Sequence, residues 1–155
     1  MGDKIHLIVV TPYKNFFEEQ VSSVTIPALD GDLGVMAGHS PLVAALKPGI
    51  CTVRIDSEVK HFSVSEGYCE IGQSIILVVC NSAEWPEDIN VKQIFDSYNE
   101  AVEAIKNEKN TDLIHPEDSK HRKARALARM HLIELYGTDH QKARLETLKA
   151  NNGLS

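Results

Sequence analysis

Residues 31–42 have the sequence Gly31-Asp32-Leu33-Gly34-Val35-Met36-Ala37-Gly38-His39-Ser40-Pro41-Leu42, and the segment Lys47-Pro48-Gly49 follows shortly after. Glycine permits positive φ angles and close approach of other chain segments, so this glycine density indicates a demanding backbone geometry. Asp30-Gly31 predicts a tight hairpin turn, and Lys47-Pro48-Gly49 predicts a type II turn. We expect the ring of His39, between Gly38 and Ser40, to be displayed at a surface.

Short runs of strand-forming residues, separated by turn residues, extend on both sides of this segment through residues 1–82. They predict strands at 4–11, 21–26, 33–36, 43–46, 50–55, 59–64, 68–71 and 74–79. Strands of this length and spacing are typical of a sandwich or a flattened barrel. Cys51, Cys69 and Cys80 each lie in a predicted strand among apolar neighbours. We therefore expect buried, reduced thiols and no metal site or disulfide.

After residue 88 the apolar spacing changes from the strand period to the helix period. Apolar side chains recur at steps of three and four, at Val91, Ile94, Phe95, Tyr98, Val102 and Ile105. This spacing predicts an amphipathic helix over residues 88–109. Pro116 suits the first position of a second helix, which we expect to end near Tyr136. The expected apolar side of this second helix comprises Ala124, Leu127, Ala128, Met130, Ile133 and Leu135.

The end of the chain predicts one more helical segment. Gly137 suits a helix stop, and Thr138 with Gln141 predicts the cap of a third short helix that ends near Lys149. The fold class predicted from all these elements is a mainly β N-terminal sandwich followed by a C-terminal α-helical hairpin. The corresponding domains are residues 1–85, the β-sandwich, and residues 86–155, the helical hairpin with a short tail.

The net charge of −6 is unevenly distributed along the 155 residues. Residues 1–116 hold 8 Lys and Arg against 17 Asp and Glu, whereas residues 117–155 hold 8 against 5. The basic side chains concentrate early in the second helix, at Lys120, Arg122, Lys123, Arg125 and Arg129. No aromatic residues interleave with them, which disfavours nucleic-acid binding. The remaining interpretations are a solvated helix face and a docking surface for an acidic protein partner.

The sequence lacks the patterns that indicate catalysis, metal binding or membrane insertion. His39 and Ser40 are adjacent, but no G-x-S-x-G motif is present, and no two histidines are spaced as a helical ligand pair. A phosphate-binding G-x-x-x-x-G-K-[ST] loop is also missing. No apolar run is long enough to span a bilayer, and the N-terminus does not resemble a signal peptide. We therefore expect a non-catalytic protein that reaches a membrane only through protein partners.

The pattern G-[DE]-L-G-x-x-x-G-H-[SA]-P-L, followed by L-x-P-G, resembles the epsilon subunit of the rotary proton-translocating ATP synthase. The similarity in the order of elements extends from about Ile5 to about Tyr136. The resemblance implies a non-catalytic rotor subunit that couples ion-driven ring rotation to ATP synthesis in the catalytic head. It also implies a peripheral location at the cytoplasmic face of the cell membrane, within the ATP synthase complex.

The resemblance further implies which residues contact which partner. Asp32 matches the acidic position that faces the polar loops of the membrane rotor ring of c subunits. The part that faces the central shaft, the gamma subunit, is matched by His39, Ser40, Pro41 and Leu42. The C-terminal helices are implied to inhibit ATP hydrolysis, by placing a basic helix against acidic loops of the catalytic beta subunits. The residues of that basic helix are Lys120, Arg122, Lys123, Arg125 and Arg129.

Some epsilon subunits bind ATP through a motif resembling [IL]-D-x-x-R-A at the start of the first helix. Residues 89–94 align with that motif, but the acid is replaced by Asn90, the arginine by Gln93 and the alanine by Ile94. Glutamine lacks the charge and the paired donors with which arginine holds a phosphate. Lys92 keeps one positive charge nearby. We expect no cofactor and no tight ATP binding by the isolated subunit.

Two other functions are compatible with the residues. The first is a stand-alone cytosolic binding module, in which the β-sandwich and its helical appendage act without a membrane complex. The second is a small hydrolase that uses His39 and Ser40. Co-purification with a large membrane ATPase would exclude the first alternative, and turnover of an ester by the pure chain would support the second.

Overall fold

The computed structural model describes residues 3–107 and 116–154. The chain divides into two compact units, one ending at Trp85 and the other beginning at Pro86. Strands make up the first unit and helices make up the second. This arrangement confirms the predicted fold class, an N-terminal β-sandwich followed by a C-terminal helical hairpin.

The described part of the first unit, residues 3–85, forms ten strands. In chain order they are β1 Ile5–Val10, β2 Asn15–Val21, β3 Ser23–Ala28, β4 Gly31–Met36, β5 Leu42–Leu46, β6 Gly49–Ile55, β7 Glu58–Val64, β8 Gly67–Ile71, β9 Ile75–Cys80 and β10 Ala83–Glu84. Their hydrogen-bonded order is β10-β7-β6-β3-β5-β8-β9-β1-β2, and β4 pairs with β3. β1 and β9 run parallel, whereas the other pairs run antiparallel.

The core of this unit follows from the two-residue period of its strands. In β1, Ile5, Leu7 and Val9 are fully buried, while the residues between them are half-buried. The three cysteines are free and buried in the same core, as predicted. Burial raises the pKa of the Cys80 thiol to about 11, and it also raises the pKa of Cys51 and of Cys69. These thiols are therefore in their unreactive protonated form at neutral pH.

Strands β2 and β10 were not predicted, because both lie at the ends of the sheet order. Among the described residues β2 pairs with β1 alone, and because Glu18, Glu19 and Gln20 are all exposed, no alternating pattern appears in its sequence. β10 has two residues, too few for any period. The strand predicted at 21–26 corresponds to β3, but its bounds are shifted by two residues. Val21 ends β2, and β3 continues through Pro27, which lies beyond the residues that pair with β6.

Both predicted turns around the glycine-rich segment differ from the structure. The hairpin loop between β3 and β4 is Leu29–Asp30, and Gly31, with φ 129°, already belongs to β4. Gly49 does not have the positive φ that a type II turn requires. A Cβ atom at Gly49 would lie 2.7 Å from Cβ of Pro27. Gly49 is therefore required by close approach of β3 rather than by turn geometry.

Gly67, the first residue of β8, offers a test of this packing. A Cβ at this position would lie 1.9 Å from the carbonyl oxygen of Val79, which belongs to the backbone of β9. We expect Gly67→Ala to destabilise the sandwich by roughly 2 kcal/mol and lower its melting temperature by about 10 °C. Gly34→Ala is the matched control, because a Cβ there meets nothing within 4 Å. Equal melting temperatures for the two variants would contradict this account.

In residues 86–107 and 116–154, the second unit forms a short 3-10 helix, Pro86–Asp88, and three α-helices. These are α1 Val91–Asn107, α2 Pro116–Tyr136 and α3 Asp139–Asn151. The bounds predicted for the second helix are confirmed. The first helix was predicted to begin at 88 but begins at Val91, because the Asn90 side chain accepts the Gln93 N–H at 3.1 Å and caps it. Residues 108 and 109, its predicted end, lie outside the described residues.

The buried side of α2 differs in part from the predicted one. Met130 and Ile133 are buried as expected, together with Ala126 and Leu132. Leu127 and Leu135 were predicted on the same side, but 45% and 47% of their surfaces are exposed. The predicted third helix is confirmed, with Thr138 and Gln141 forming its capping box. It ends at Asn151, two residues later than predicted.

Candidate functional site

The glycine-rich segment forms β4, β5 and the connection between them. Gly31 and Gly38 have φ angles of 129° and 84°, which side-chain-bearing residues rarely adopt. The Gly38 N–H donates to the carbonyl of Gln73 at 2.8 Å, so the turn after β4 is attached to the β8–β9 loop. The Leu29 N–H donates to the carbonyl of Ala45 at 3.0 Å. The β3–β4 loop is therefore held against β5.

A surface groove of about 410 Å³ lies between this loop and β5. It is lined by residues 28–33 and 42–45, and we call it the tip groove. Asp30 and Asp32 line it and are both exposed to solvent, so its wall carries two carboxylates. Leu42, on β5, lines the opposite wall. Two of the residues expected to contact partners, Asp32 and Leu42, thus come together at the tip groove.

Large apolar side chains are exposed around the tip groove. The exposed fractions are 63% for Leu29 and 69% for Val43, compared with 41% for Leu42. Exposed apolar residues that cluster beside charged ones are typical of protein interaction surfaces. Leu29 and Val43 were not predicted as site residues. The sequence predicted a strand at residues 43–46, and that prediction did not show that Val43 is exposed. For Leu29, the available signal of an interaction site was an apolar residue at the tip of a hairpin.

The other predicted contact residues lie in the connection from β4 to β5 and do not line the tip groove. Ser40 and Pro41 are exposed, and His39 is half-buried, less exposed than expected. Nδ1 of His39 lies 2.7 Å from the carbonyl oxygen of Ser40, so this nitrogen carries the proton and donates it. The hydrogen bond of this ring is therefore made to the backbone of Ser40 and not to its hydroxyl group.

Two observations on the described residues bear on other site types. In residues 3–107 and 116–154, no three His, Cys, Asp or Glu side chains are grouped so that they could hold a metal ion. Among the helices of the same ranges, none is long and apolar enough to cross a membrane.

The basic side chains of α2 differ in their exposure. Lys120 and Arg122 are exposed, whereas Lys123, Arg125 and Arg129 are half-buried. Burial, together with the neighbouring charge of Arg129, lowers the pKa of the Arg125 guanidinium. The first turns of α2 therefore present the most accessible positive charge of this helix.

The segment aligned with the nucleotide motif is occupied by helix-capping and core residues. The amide oxygen of Asn90 accepts the Gln93 N–H at the start of α1. Ile89 and Ile94 are 5% and 4% exposed, so both belong to the core of the second unit. Lys92 forms an ion pair with Asp96 at 2.8 Å. Of the positions that differ from the family pattern, Asn90 caps α1 and Ile94 is buried, whereas the Gln93 side chain is exposed.

Comparison with known proteins gives consistent results. The β-sandwich domain family of the ATP synthase delta/epsilon chain matches residues 4–86. The ATP synthase epsilon chain of Prochlorococcus marinus (strain MIT 9301) is 36% identical over 114 residues, 71% of this chain and 85% of that protein. The ATP synthase epsilon chain of Alkaliphilus metalliredigens (strain QYMF) is 29% identical over 109 residues, 70% of this chain and 81% of that protein.

A solved structure supports the fold independently. In the cryo-EM structure of the Euglena gracilis mitochondrial ATP synthase, OSCP/F1/c-ring, one chain matches 86% of this chain and 83% of its own length. The TM-score is 0.72 at 19% sequence identity, so the likeness is one of fold. With the domain match over residues 4–86 and the identities to curated epsilon chains, this chain belongs to the ATP synthase epsilon-chain family, a family of non-catalytic subunits.

Proposed function

We propose that this chain is a rotor subunit that couples ion-driven ring rotation to ATP synthesis and that inhibits ATP hydrolysis through its C-terminal helices. The observation that supports the coupling role most directly is the tip groove. It combines two exposed carboxylates, Asp30 and Asp32, with exposed Leu29 and Val43 on the walls. A surface of this composition suits a protein partner that offers apolar contacts and basic or polar loops.

We assign two partners to neighbouring parts of this surface. Asp32 faces the polar loops of the c-subunit ring, where its carboxylate accepts hydrogen bonds from polar or basic groups. His39, Ser40, Pro41 and Leu42 face the gamma subunit of the central shaft. Because the segment 39–41 lies in the connection from β4 to β5, both contacts are made by one continuous part of the sandwich. The chain is then held at the cytoplasmic face of the membrane through these protein partners.

The inhibitory role rests on the charge of α2. We propose that its basic residues contact acidic loops of the catalytic beta subunits and oppose the rotation that accompanies ATP hydrolysis. Of these residues, Lys120 and Arg122 are the most exposed. Charges in solvent attract a complementary surface over a distance that salt shortens to about 8 Å at physiological ionic strength. Inhibition that depends on these charges should therefore weaken when salt is added.

Recovery of the tagged chain from solubilised membranes tests the proposed function as a whole. The gamma, beta and c subunits are expected to be recovered with it in fixed proportion. The control is the same preparation from cells that express an untagged chain. Recovery of the tagged chain alone would instead support a stand-alone binding module, and the proposed function would then be wrong.

We also propose that the isolated chain does not bind ATP tightly. In a calorimetric titration with MgATP, we expect no dissociation constant below about 1 mM, which corresponds to less than roughly 4 kcal/mol of binding free energy. The reason is that Asn90 and Gln93 offer no charge to a phosphate and that Ile94 fills core space. A micromolar dissociation constant would show that other residues hold the nucleotide.

A further inference from the structure

The second unit contains a contact that joins its last helix to its first residues. Gln141, on α3, is only 9% exposed. Its side-chain nitrogen donates to the carbonyl of Pro86 at 2.8 Å and to the carbonyl of Ile89 at 3.1 Å. Its side-chain oxygen accepts the Thr138 N–H at 2.9 Å. The nitrogen and the oxygen of this side-chain amide therefore both have hydrogen-bond partners. A buried amide requires such partners, because it has no access to water.

The two carbonyls that Gln141 contacts lie immediately before α1. Pro86 belongs to the short 3-10 helix, and Ile89 lies just before Asn90, the residue that caps α1. Gln141 therefore connects α3 to the residues that immediately precede α1. We call this contact, Gln141 with the carbonyls of Pro86 and Ile89, the α3 latch.

Helix α3 is joined to α2 by an ion pair and by a closely packed turn. Lys149 of α3 forms an ion pair with Glu134 of α2. Gly137, between the helices, fits so closely that a Cβ atom would lie 2.7 Å from the carbonyl of Ile133 and 3.1 Å from Oε1 of Gln141. A movement that carries α2 and α3 together away from the start of α1 therefore removes Gln141 from both carbonyls.

We propose that the α3 latch holds α1 and α2 together and thereby limits the population of chains in which α2 is free to inhibit hydrolysis. This inference rests on the proposed inhibitory role of α2, and it adds a control on that role. Opening the latch breaks two hydrogen bonds of the buried Gln141 side chain at once. The closed form is therefore favoured until a partner of α2 offers comparable contacts.

The substitution Gln141→Glu is expected to break the α3 latch and to keep the N-terminal cap of α3. A glutamate at this position still accepts the Thr138 N–H, as in an ordinary capping box, so α3 keeps its N-terminal cap. The glutamate side chain has no N–H groups to donate to the Pro86 and Ile89 carbonyls. Its negative carboxylate instead faces these two oxygen atoms, which it repels. Gln141→Leu removes the same hydrogen bonds without adding a charge. Thr147→Glu is the matched control, because it adds the same charge at an exposed position of α3.

The distance between α1 and α3 in the full chain reports the state of the latch. Spin labels are attached at Gln93→Cys and Arg144→Cys, two exposed positions, while the three native thiols are buried. Pulsed electron paramagnetic resonance then gives the distance distribution. We expect both Gln141 variants to raise the population of longer distances by about 5- to 30-fold, and Thr147→Glu to leave it unchanged. An unchanged distribution in both Gln141 variants would overturn the latch.

The rate of ATP hydrolysis by the reassembled complex is the second measurement. Together with the distances, it shows whether the latch or the proposed inhibitory role is wrong. Complexes with either Gln141 variant are expected to hydrolyse ATP more slowly than those with Thr147→Glu, because more chains have a free α2. If the distances lengthen and hydrolysis is unchanged, the latch is supported and the inhibitory role of α2 is wrong. If neither quantity changes, the latch is wrong, and the inhibitory role stands on its own test.

Discussion

Removal of residues 86–155 is expected to raise ATP hydrolysis by the assembled complex by roughly fivefold or more, the lower end of the usual range of regulatory coupling. The basic residues of α2 are lost with this segment, whereas the tip groove remains. The truncated chain should still fold, because the apolar core of the sandwich is formed by residues between Ile5 and Ala83. It should also still support ATP synthesis. Both rates are measured on reconstituted vesicles containing the full-length or the truncated chain.

A variant that changes only charge distinguishes loss of docking by α2 from other effects of removing residues 86–155. Lys120→Ala with Arg122→Ala removes the two exposed charges at the start of α2, and alanine maintains the helix. Lys142→Ala with Arg144→Ala removes two charges from α3 and serves as the control. We expect the first pair to release hydrolysis and the second to leave it inhibited. Unchanged hydrolysis in the truncated complex would contradict the inhibitory role and leave the coupling role intact.

Reversing the charge of Asp32 is expected to weaken assembly at least about tenfold, since interface residues with large effects contribute 2 kcal/mol or more. Asp32 is exposed on β4 and lines the tip groove, so Asp32→Lys changes the binding surface without disturbing the core. Val43→Lys should act in the same way, because it places a charge in the apolar part of the groove opposite Glu70 of β8. Assembly is followed as the chain concentration needed to restore ion pumping.

The matched control for Asp32→Lys is Glu19→Lys, an equal charge reversal at an exposed position of β2. Melting curves of the isolated chains establish that all variants are folded. Ion pumping restored at the same concentration by Asp32→Lys and by Glu19→Lys would show that the tip groove is not the docking surface.

The sequence predicted those elements that bury one side in a regular pattern. The helical spacing from Val91 to Ile105 located α1, and Pro116 marked the first residue of α2. The spacing of strand-forming runs and turn residues located the interior strands. It could not locate β2, because a strand at the end of a sheet is exposed on more than one side and its Glu18-Glu19-Gln20 run carries no period. Edge strands are therefore recognised only from their pairing.

Contacts between residues distant in the chain account for the remaining differences. Gly49 and Gly67 are required by the backbone or side chain of another strand, and no local pattern records such a neighbour. In the candidate site, Asp32 followed from the resemblance, whereas Leu29 and Val43 did not. Their exposure depends on which strands lie beside β4 and β5, and only the strand order supplies that information.

The position of β1 has a consequence for the synthesis of this protein. On one side β1 pairs with β2, which follows it directly, and on the other it pairs with β9, where His6 is the partner of Ile75. A ribosome therefore releases the apolar strand Ile5–Val10 long before its second neighbour exists. An unpaired, β-branched edge is prone to associate with other chains, and pairing across such a separation is slow. Translation must pass Cys80 before the first strand is enclosed, so the timing of elongation governs how long the nascent chain needs protection.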